Sequence, residues 1–125
     1  MNKEWDGDYP VQIKRPLVAI LMADGYKKSV IEGEKQITIR MGWRDYKVGD
    51  DVIICNPEFG FVDGHNWSVK GKITYVMHCM LKGVDKKDLL DDKFESLEMA
   101  IKTLSSFYKE VSPDSLVTVI RWELV

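Results

Sequence analysis

The chain has 125 residues, of which 45% are hydrophobic and 30% are charged, and its formal net charge at pH 7 is −2. These values are typical of one globular domain that is long enough to bury a full core. The slightly acidic balance argues against a general polyanion-binding protein, since such proteins are usually strongly basic. The apolar run over residues 18–22 falls far short of the roughly 20 residues that a membrane-spanning helix needs, so we expect no membrane partner.

Residues 1–10 are polar and contain no apolar segment of the signal-peptide type. We expect them to form a tail or a short docking segment ahead of a single domain over residues 11–125. Cys55 and Cys79 fall on separate predicted strands, and two thiols without a leader are typical of a reducing compartment. The sequence therefore predicts a cytoplasmic protein.

The first part of the chain predicts a helix followed by a strand. Residues 11–13 indicate a brief strand, and the apolar spacing over residues 17–32 predicts a helical region, either continuous or divided into two short helices at Gly25. Gly33 fits the position that follows a helix C-terminus. Alternation then predicts a strand up to Met41. Its two faces would carry Ile37, Ile39 and Met41 on one side and Gln36, Thr38 and Arg40 on the other.

The second part predicts several strands and one long helix. Further strands are expected over residues 51–55, 59–62, 67–81 and 116–125, with a possible bulge at Gly71, and a helix over residues 97–110. Short connections favour antiparallel pairing, and closure of the sheet protects edges that a flat sheet would expose. We therefore predict an α+β fold, a small and mostly antiparallel β-barrel flanked by two or three helices.

Three polar side chains lie close together around the turn that opens the strand before Met41. They are the amine of Lys35, the hydroxyl of Thr38 and the guanidinium of Arg40. Such a cluster can hold a phosphate, a carboxylate or a polarised carbonyl. A solvated turn lysine and a strand-forming threonine are equally ordinary at these positions.

The pattern Gly33-x-Lys35-x-x-Thr38-x-Arg40, with the Val-Gly-Asp turn at residues 48–50, resembles the ASCH (activating signal cointegrator homology) domain. The resemblance covers most of the chain, since the order of elements around the motif is also similar. It implies a PUA-like β-barrel with a ligand cleft beside the motif. It also implies RNA or a modified nucleoside or nucleotide as the partner.

Some small bacterial proteins of this family are amidohydrolases that remove an acyl group from the exocyclic amine of cytidine. The resemblance implies Lys35 and Thr38 as two of their catalytic residues, and Asp92 is the best match for a glutamate that follows the long strand. The threonine would attack the amide carbonyl while the lysine and the carboxylate transfer protons. We predict a non-catalytic RNA- or nucleotide-binding domain, with the amidohydrolase as the alternative. A protein-interaction domain that uses the same cleft is a third possibility.

Aromatic residues beside the motif complete the predicted site. Trp43 and Tyr46 could stack on a base or pack against the barrel, whereas Trp67 and Trp122 are expected in the core. The buried stripe predicted for the late helix consists of Leu97, Ala100, Ile101, Leu104 and either Phe107 or Tyr108. The Phe107-Tyr108 pair is expected to pack this helix, with contact of the Tyr108 hydroxyl with the cleft as the alternative. The predicted ligand-binding residues are Gly33, Lys35, Thr38, Arg40, Trp43, Arg44 and Tyr46.

The histidines and cysteines lack the spacing of a zinc site, and no Gly-rich phosphate-binding loop leads from a strand into a helix. The residues that would be needed for zinc are His65, His78, Cys55 and Cys79. We therefore predict neither a metal nor a cofactor.

Overall fold

The structure, a computed structural model, describes residues 18–22, 26–56 and 67–125. Within these ranges the elements are β1 (Val18–Leu21), α1 (Lys27–Ile31), β2 (Ile37–Met41), β3 (Asp51–Asn56), β4 (Trp67–Met80), a 3-10 turn (Leu81–Gly83), α2 (Lys86–Asp91), α3 (Leu97–Ser105) and β5 (Leu116–Leu124). Four features that the sequence predicts lie outside the described residues. They are the tail over residues 1–10, the strands over residues 11–13 and 59–62, and the helix break at Gly25.

The strands of the described residues form one curled sheet in the order β1-β3-β4-β5-β2, which makes a half-barrel. β1 runs parallel to β3, and the other neighbouring pairs are antiparallel. The 14 residues of β4 pair first with β3 and then with β5, so this strand carries the curl from one part of the sheet to the next. The predicted α+β fold with a mostly antiparallel, curled sheet is confirmed.

Hydrophobic clusters cover both faces of β5, the strand that lies between β4 and β2. Val117 and Val119 belong to a first cluster, which also holds buried side chains of α2 and α3. Ile120 and Trp122 belong to a second cluster with residues of β1, β3 and β4. Because alternate side chains of a strand point to opposite faces, β5 separates two cores.

The predicted helix over residues 17–32 is wrong in its first part, because Val18–Leu21 forms β1. Ala19 and Ile20 pair with Ile53 and Ile54 of β3, and the Met22 N–H continues the pairing to the Cys55 carbonyl at 2.9 Å. A short apolar run fits a buried strand as well as a helix, so the sequence pattern could not separate the two. Residues 18–21 form a strand because they pair with the edge of β3.

The helix predicted over residues 97–110 forms but is shorter than expected. Ser96 caps its N-terminus, because the Ser96 hydroxyl accepts a hydrogen bond from the Met99 N–H at 3.1 Å. The helix ends at Ser105, and residues 106–108 continue as a hydrogen-bonded turn. Ala100 and Leu104 are its buried residues, as the predicted stripe requires.

Strand β4 has no bulge at Gly71, where the sequence suggested one, but it has an irregularity two residues further on. Gly71 pairs in register with Val52 of β3 and Leu124 of β5, and the irregularity of β4 falls between Ile73 and Tyr75. The glycine has a different role, which is to allow close approach of β5. A Cβ atom at this position would lie 2.9 Å from the Glu123 carbonyl oxygen.

We expect Gly71→Ala to lower the free energy of unfolding by about 1–3 kcal/mol, because the added methyl would press on the β5 backbone, which cannot rotate away. Urea denaturation of both variants measures this loss. Gly83→Ala is the matched control, since its added Cβ would meet no atom closer than the Cys79 Cβ at 3.9 Å. Equal stability of the two alanine variants would contradict the close approach.

Candidate ligand-binding cleft

The stretch that opens β2 is fixed by the end of α1. Gly33 follows the helix with a φ of +78°, and its N–H donates to the Val30 carbonyl at 3.1 Å. This left-handed conformation suits glycine and ends the helix as the sequence predicts. The Lys35 N–H then donates to the Ser29 carbonyl at 2.9 Å, which ties the start of the strand back to α1. Lys35 therefore has a defined position.

Asp92 follows α2 and reaches the stretch around Lys35 from a distant part of the chain. One carboxylate oxygen, Oδ1, forms an ion pair with the Lys35 amine, and the other accepts the Ile39 N–H at 3.2 Å. The two charged residues are 57 positions apart in sequence, and their side chains are only 12% and 7% exposed. The pair joins the end of α2 to the edge strand β2.

Arg121 of β5 anchors α2 in the place that this contact needs. Its guanidinium donates to the Asp88 carboxylate at 2.6 and 3.1 Å and to the Asp91 carboxylate at 2.7 Å. Both acids belong to α2, and Asp92 follows directly. Lys93 then takes a left-handed φ of +68°, and the Phe94 N–H returns to the Leu89 carbonyl at 2.8 Å. Asp92 thus sits between an anchored helix and a tight turn.

Arg40 connects the two edge strands of the half-barrel. Its Nε donates to the Thr38 hydroxyl oxygen at 3.1 Å. A terminal nitrogen of the same guanidinium donates to the Leu21 carbonyl, and it lies 3.6 Å from the Met22 sulfur. Because β1 and β2 are at opposite edges of the sheet, Arg40 bridges the side on which the barrel is open. It also orients the buried Thr38 hydroxyl, whose residue is 6% exposed.

These residues line one cleft of about 330 Å³. Its charged side chains come from the turn before β2, from β2 itself and from the end of α2. Uncharged polar side chains come from β2, the end of β3 and α3, and the remaining wall is mostly apolar and aromatic. The lining residues are Leu21, Met22, Tyr26, Lys35, Thr38, Ile39, Arg40, Asn56, Asp92, Phe94, Thr103, Leu104, Phe107 and Tyr108.

Burial raises the pKa of the Asp92 carboxyl above its ordinary value of 3.8, although the Lys35 charge and hydrogen bond and the Ile39 N–H act in the opposite direction. The unfolded chain therefore loses this proton at a lower pH than the folded chain. It follows that this carboxyl lowers the stability as the pH rises from 3.8 to its own raised pKa. A carboxyl whose ionised form is disfavoured in a cleft is a candidate for proton transfer.

The structure brings together four of the predicted site residues, Lys35, Thr38, Arg40 and Asp92, in this cleft. The other four do not line it. Gly33 shapes the turn. Trp43 is 69% exposed and stacks on the His78 ring, with centroids 3.9 Å apart and planes 3° apart.

Arg44 and Tyr46 bind the backbone instead of lining the cleft. The Arg44 Nε donates to the Met41 carbonyl at 2.8 Å, and the Tyr46 hydroxyl donates to the Ala19 carbonyl at 3.1 Å. The structure therefore does not bring Trp43, Arg44 and Tyr46 into the cleft that Lys35 lines, and a ligand contact at these three residues stays a prediction. Trp67 and Trp122 are buried in the core, as predicted.

The sequence reasoning missed most of the aromatic wall. Tyr26 precedes α1 and places its ring 4.9 Å from the Lys35 amine, while Phe107 and Tyr108 come from the turn after α3. The Phe107-Tyr108 pair was expected to pack the late helix, and Tyr108 does pack against the buried cluster, yet Phe107 is 67% exposed. The sequence does indicate that one of these two rings is exposed, because adjacent residues of a helix cannot both lie on its narrow buried stripe.

Within the described ranges, no cluster of three or more histidine, cysteine or acidic side chains is arranged to hold a metal ion. In the same part of the chain, no helix combines the length and the apolar character that crossing a membrane requires.

No protein-family model matches the sequence, and no curated protein has a sequence significantly similar to it. The fold does have similar solved structures. An ASCH domain from Lactobacillus crispatus JV V101 aligns over 86% of this chain and 79% of its own, with a TM-score of 0.63 and 18% identity. The hypothetical protein PH0355 aligns over 88% of this chain and 100% of its own, with a TM-score of 0.63 and 20% identity.

A third solved structure, protein EF3133 from Enterococcus faecalis V583, aligns over 98% of this chain and 84% of its own, with a TM-score of 0.60 and 16% identity. These similarities show that the chain has an ASCH-like fold, as the motif at residues 33–40 predicted.

We expect Lys35→Met to raise the pKa of Asp92 further, because methionine keeps the bulk of the lysine side chain but removes the charge and the hydrogen bond that stabilise the carboxylate. Titration of the carboxyl carbon by NMR measures the shift. Lys47→Met is the control, since Lys47 forms an exposed ion pair with Asp45. A lower pKa of Asp92 in the Lys35 variant would contradict the ion pair.

Proposed function

We propose that this domain binds a single nucleoside or nucleotide, free or as one unit of an RNA, in the cleft beside residues 33–40. The observation that carries the proposal is the convergence of Lys35, Thr38 and Asp92 in one concave site, although Asp92 lies 57 residues from Lys35. Buried charges are costly to the fold, so their concentration in a cleft favours a functional role over a structural one.

The size and charge of the cleft favour one nucleotide unit over a long strand. A volume of about 330 Å³ is at the lower end of the range for small-molecule sites. Its two cationic side chains already have protein partners, since Lys35 pairs with Asp92 and Arg40 bridges to β1. The net charge of −2 offers no general attraction for a polyanion.

Free thiols at Cys55 and Cys79 support the cytoplasmic location that the sequence predicts.

Calorimetric titrations at two salt concentrations test this proposal. We expect cytidine to bind with a Kd that does not change between 50 and 200 mM salt, because it carries no phosphate. An octacytidylate should lose less than about tenfold in affinity, whereas proteins with 6–10 phosphate contacts lose about 10³–10⁵-fold over this range. A loss of that larger size would show a strand-binding surface outside the cleft, and no binding of either compound would refute the proposal.

A second candidate is an amidohydrolase that acts on an acylated cytidine-type nucleoside. It is favoured by the contacts of the Thr38 hydroxyl and of the Lys35 amine. The Arg40 Nε donates to the Thr38 oxygen and would stabilise an alkoxide there. Burial raises the pKa of the Asp92 carboxyl, which makes this carboxylate a better proton acceptor beside the Lys35 amine.

In this mechanism the Lys35 amine first passes a proton to the Asp92 carboxylate, and the Thr38 oxygen then attacks the acyl carbon while its own proton moves to Lys35. The bond from carbon to the exocyclic nitrogen breaks, and that nitrogen takes the proton as it leaves. Water then hydrolyses the acyl ester of Thr38, with the Lys35 and Asp92 pair accepting and returning a proton. The acid is released and the hydroxyl is restored.

Incubation of the protein with N4-acetylcytidine, followed by chromatography, separates the two candidates. If the domain is the enzyme, we expect cytidine to form and Thr38→Val to lower the rate by at least about 10²-fold, because valine keeps the shape but removes the nucleophile. In a binding domain the same change removes one hydrogen bond and weakens binding by only about 2–10-fold. Thr38→Ser is the control that keeps the hydroxyl. Absence of cytidine at high protein concentration would exclude this substrate.

A further inference from the structure

Phe107 is a large apolar side chain that lines the cleft and is 67% exposed. Most of the apolar surface near it is covered, since Leu104 is 5% exposed and Phe94 is 9% exposed. Packing of the fold does not require an exposed aromatic ring in a cleft that is also lined by polar side chains.

The position of Phe107 is fixed by the turn that follows α3. The Phe107 N–H donates to the Leu104 carbonyl at 3.0 Å, and the Tyr108 N–H donates to the same oxygen at 2.9 Å. The Ser106 hydroxyl also donates to the Thr103 carbonyl at 2.6 Å. Because Tyr108 packs against the buried cluster that contains Leu104, the preceding residue is directed away from that cluster. Phe107 is therefore held in an exposed position by a bonded turn.

Tyr26 provides a second exposed aromatic ring in the same cleft, at 40% exposure. Its ring lies beside the Lys35 amine, which places aromatic surface next to the polar groups. Those groups include the hydroxyl of Thr38 and the amide of Asn56, which are uncharged and able to contact the polar edge of a ring. Aromatic faces with neutral hydrogen-bonding groups match a planar heteroaromatic ring better than a sugar or an alkyl chain.

We propose that Phe107 stacks on the base of the bound nucleoside, with Tyr26 as the second aromatic contact. This inference rests on the function proposed above. It places base recognition on the turn after α3, whereas the exposed ring of Trp43 in the connection after β2 takes no part.

The test is calorimetric titration of four Phe107 and Trp43 variants with cytidine 5′-monophosphate as the probe. We expect Phe107→Ala to weaken binding by about tenfold and Phe107→Trp to bind as the unmodified protein does, because base stacking needs an aromatic face. Phe107→Leu keeps an apolar side chain without a ring and should weaken binding as much as the alanine change does. Trp43→Ala is the matched control, since Trp43 is 69% exposed but does not line the cleft, and it should leave the Kd unchanged.

The outcomes separate this inference from the function on which it rests. If the unmodified protein binds neither cytidine 5′-monophosphate nor cytidine nor any other ribonucleoside or its monophosphate, both are refuted. If it binds and Phe107→Ala has the same Kd as Trp43→Ala, or Phe107→Leu binds as the unmodified protein does, stacking by Phe107 is refuted and the proposed function stands. Ribose 5-phosphate serves as a probe without a base, and an affinity equal to that of the nucleotide would also refute base stacking.

Discussion

The ion pair between Lys35 and Asp92 is the contact on which the cleft depends. It joins the turn after α1 to the end of α2, and Asp92 also accepts the Ile39 N–H on the edge strand β2. Both side chains are largely withdrawn from water, so each charge relies on the other, and breaking such a buried pair by removal of one partner typically costs about 3–5 kcal/mol. The same burial raises the pKa of Asp92. A single contact thus links the end of α2 to the turn before β2, while the burial around it keeps the pKa of Asp92 raised.

Two arginines hold the elements that this pair connects. Arg121 binds Asp88 and Asp91 and so fixes α2 on β5, which brings Asp92 within reach of β2. Arg40 reaches from β2 to the Leu21 carbonyl of β1 and spans the open side of the half-barrel. The planar guanidinium suits both tasks because it offers several donors in fixed directions. Arg40 was expected to contact a ligand, but its described contacts first serve the fold and the orientation of Thr38.

The contacts of the cleft are compatible with two functions because binding and amide hydrolysis would use the same groups. In the proposed binding function Lys35, Thr38 and Asp92 would hold the polar part of a ligand, and in the alternative they would cleave an acyl bond with proton transfer inside the pair. An ASCH-like fold does not decide between them, since one fold supports many activities. Whether a ligand would only bind or also be hydrolysed depends on its position relative to the Thr38 oxygen. The aromatic side chains of the cleft would determine that position as much as the polar groups would.

The sequence alone determined the local features of the motif. Gly33 ends α1, Ile37 and Ile39 pack in one cluster while Thr38 and Arg40 line the cleft, and Asp92 is the carboxylate that meets Lys35. Local periodicity and turn chemistry suffice for the first two, and the family resemblance supplied the third.

Tertiary structure decided that residues 18–21 form a strand, because a short apolar run suits either a helix or a strand until β3 offers an edge for pairing. It also decided which aromatic residues face the cleft, Tyr26 and Phe107 instead of Trp43 and Tyr46. Nearness in sequence does not reveal this, because the direction of a side chain beyond a strand or helix end is set by the turn and by the packing of distant elements.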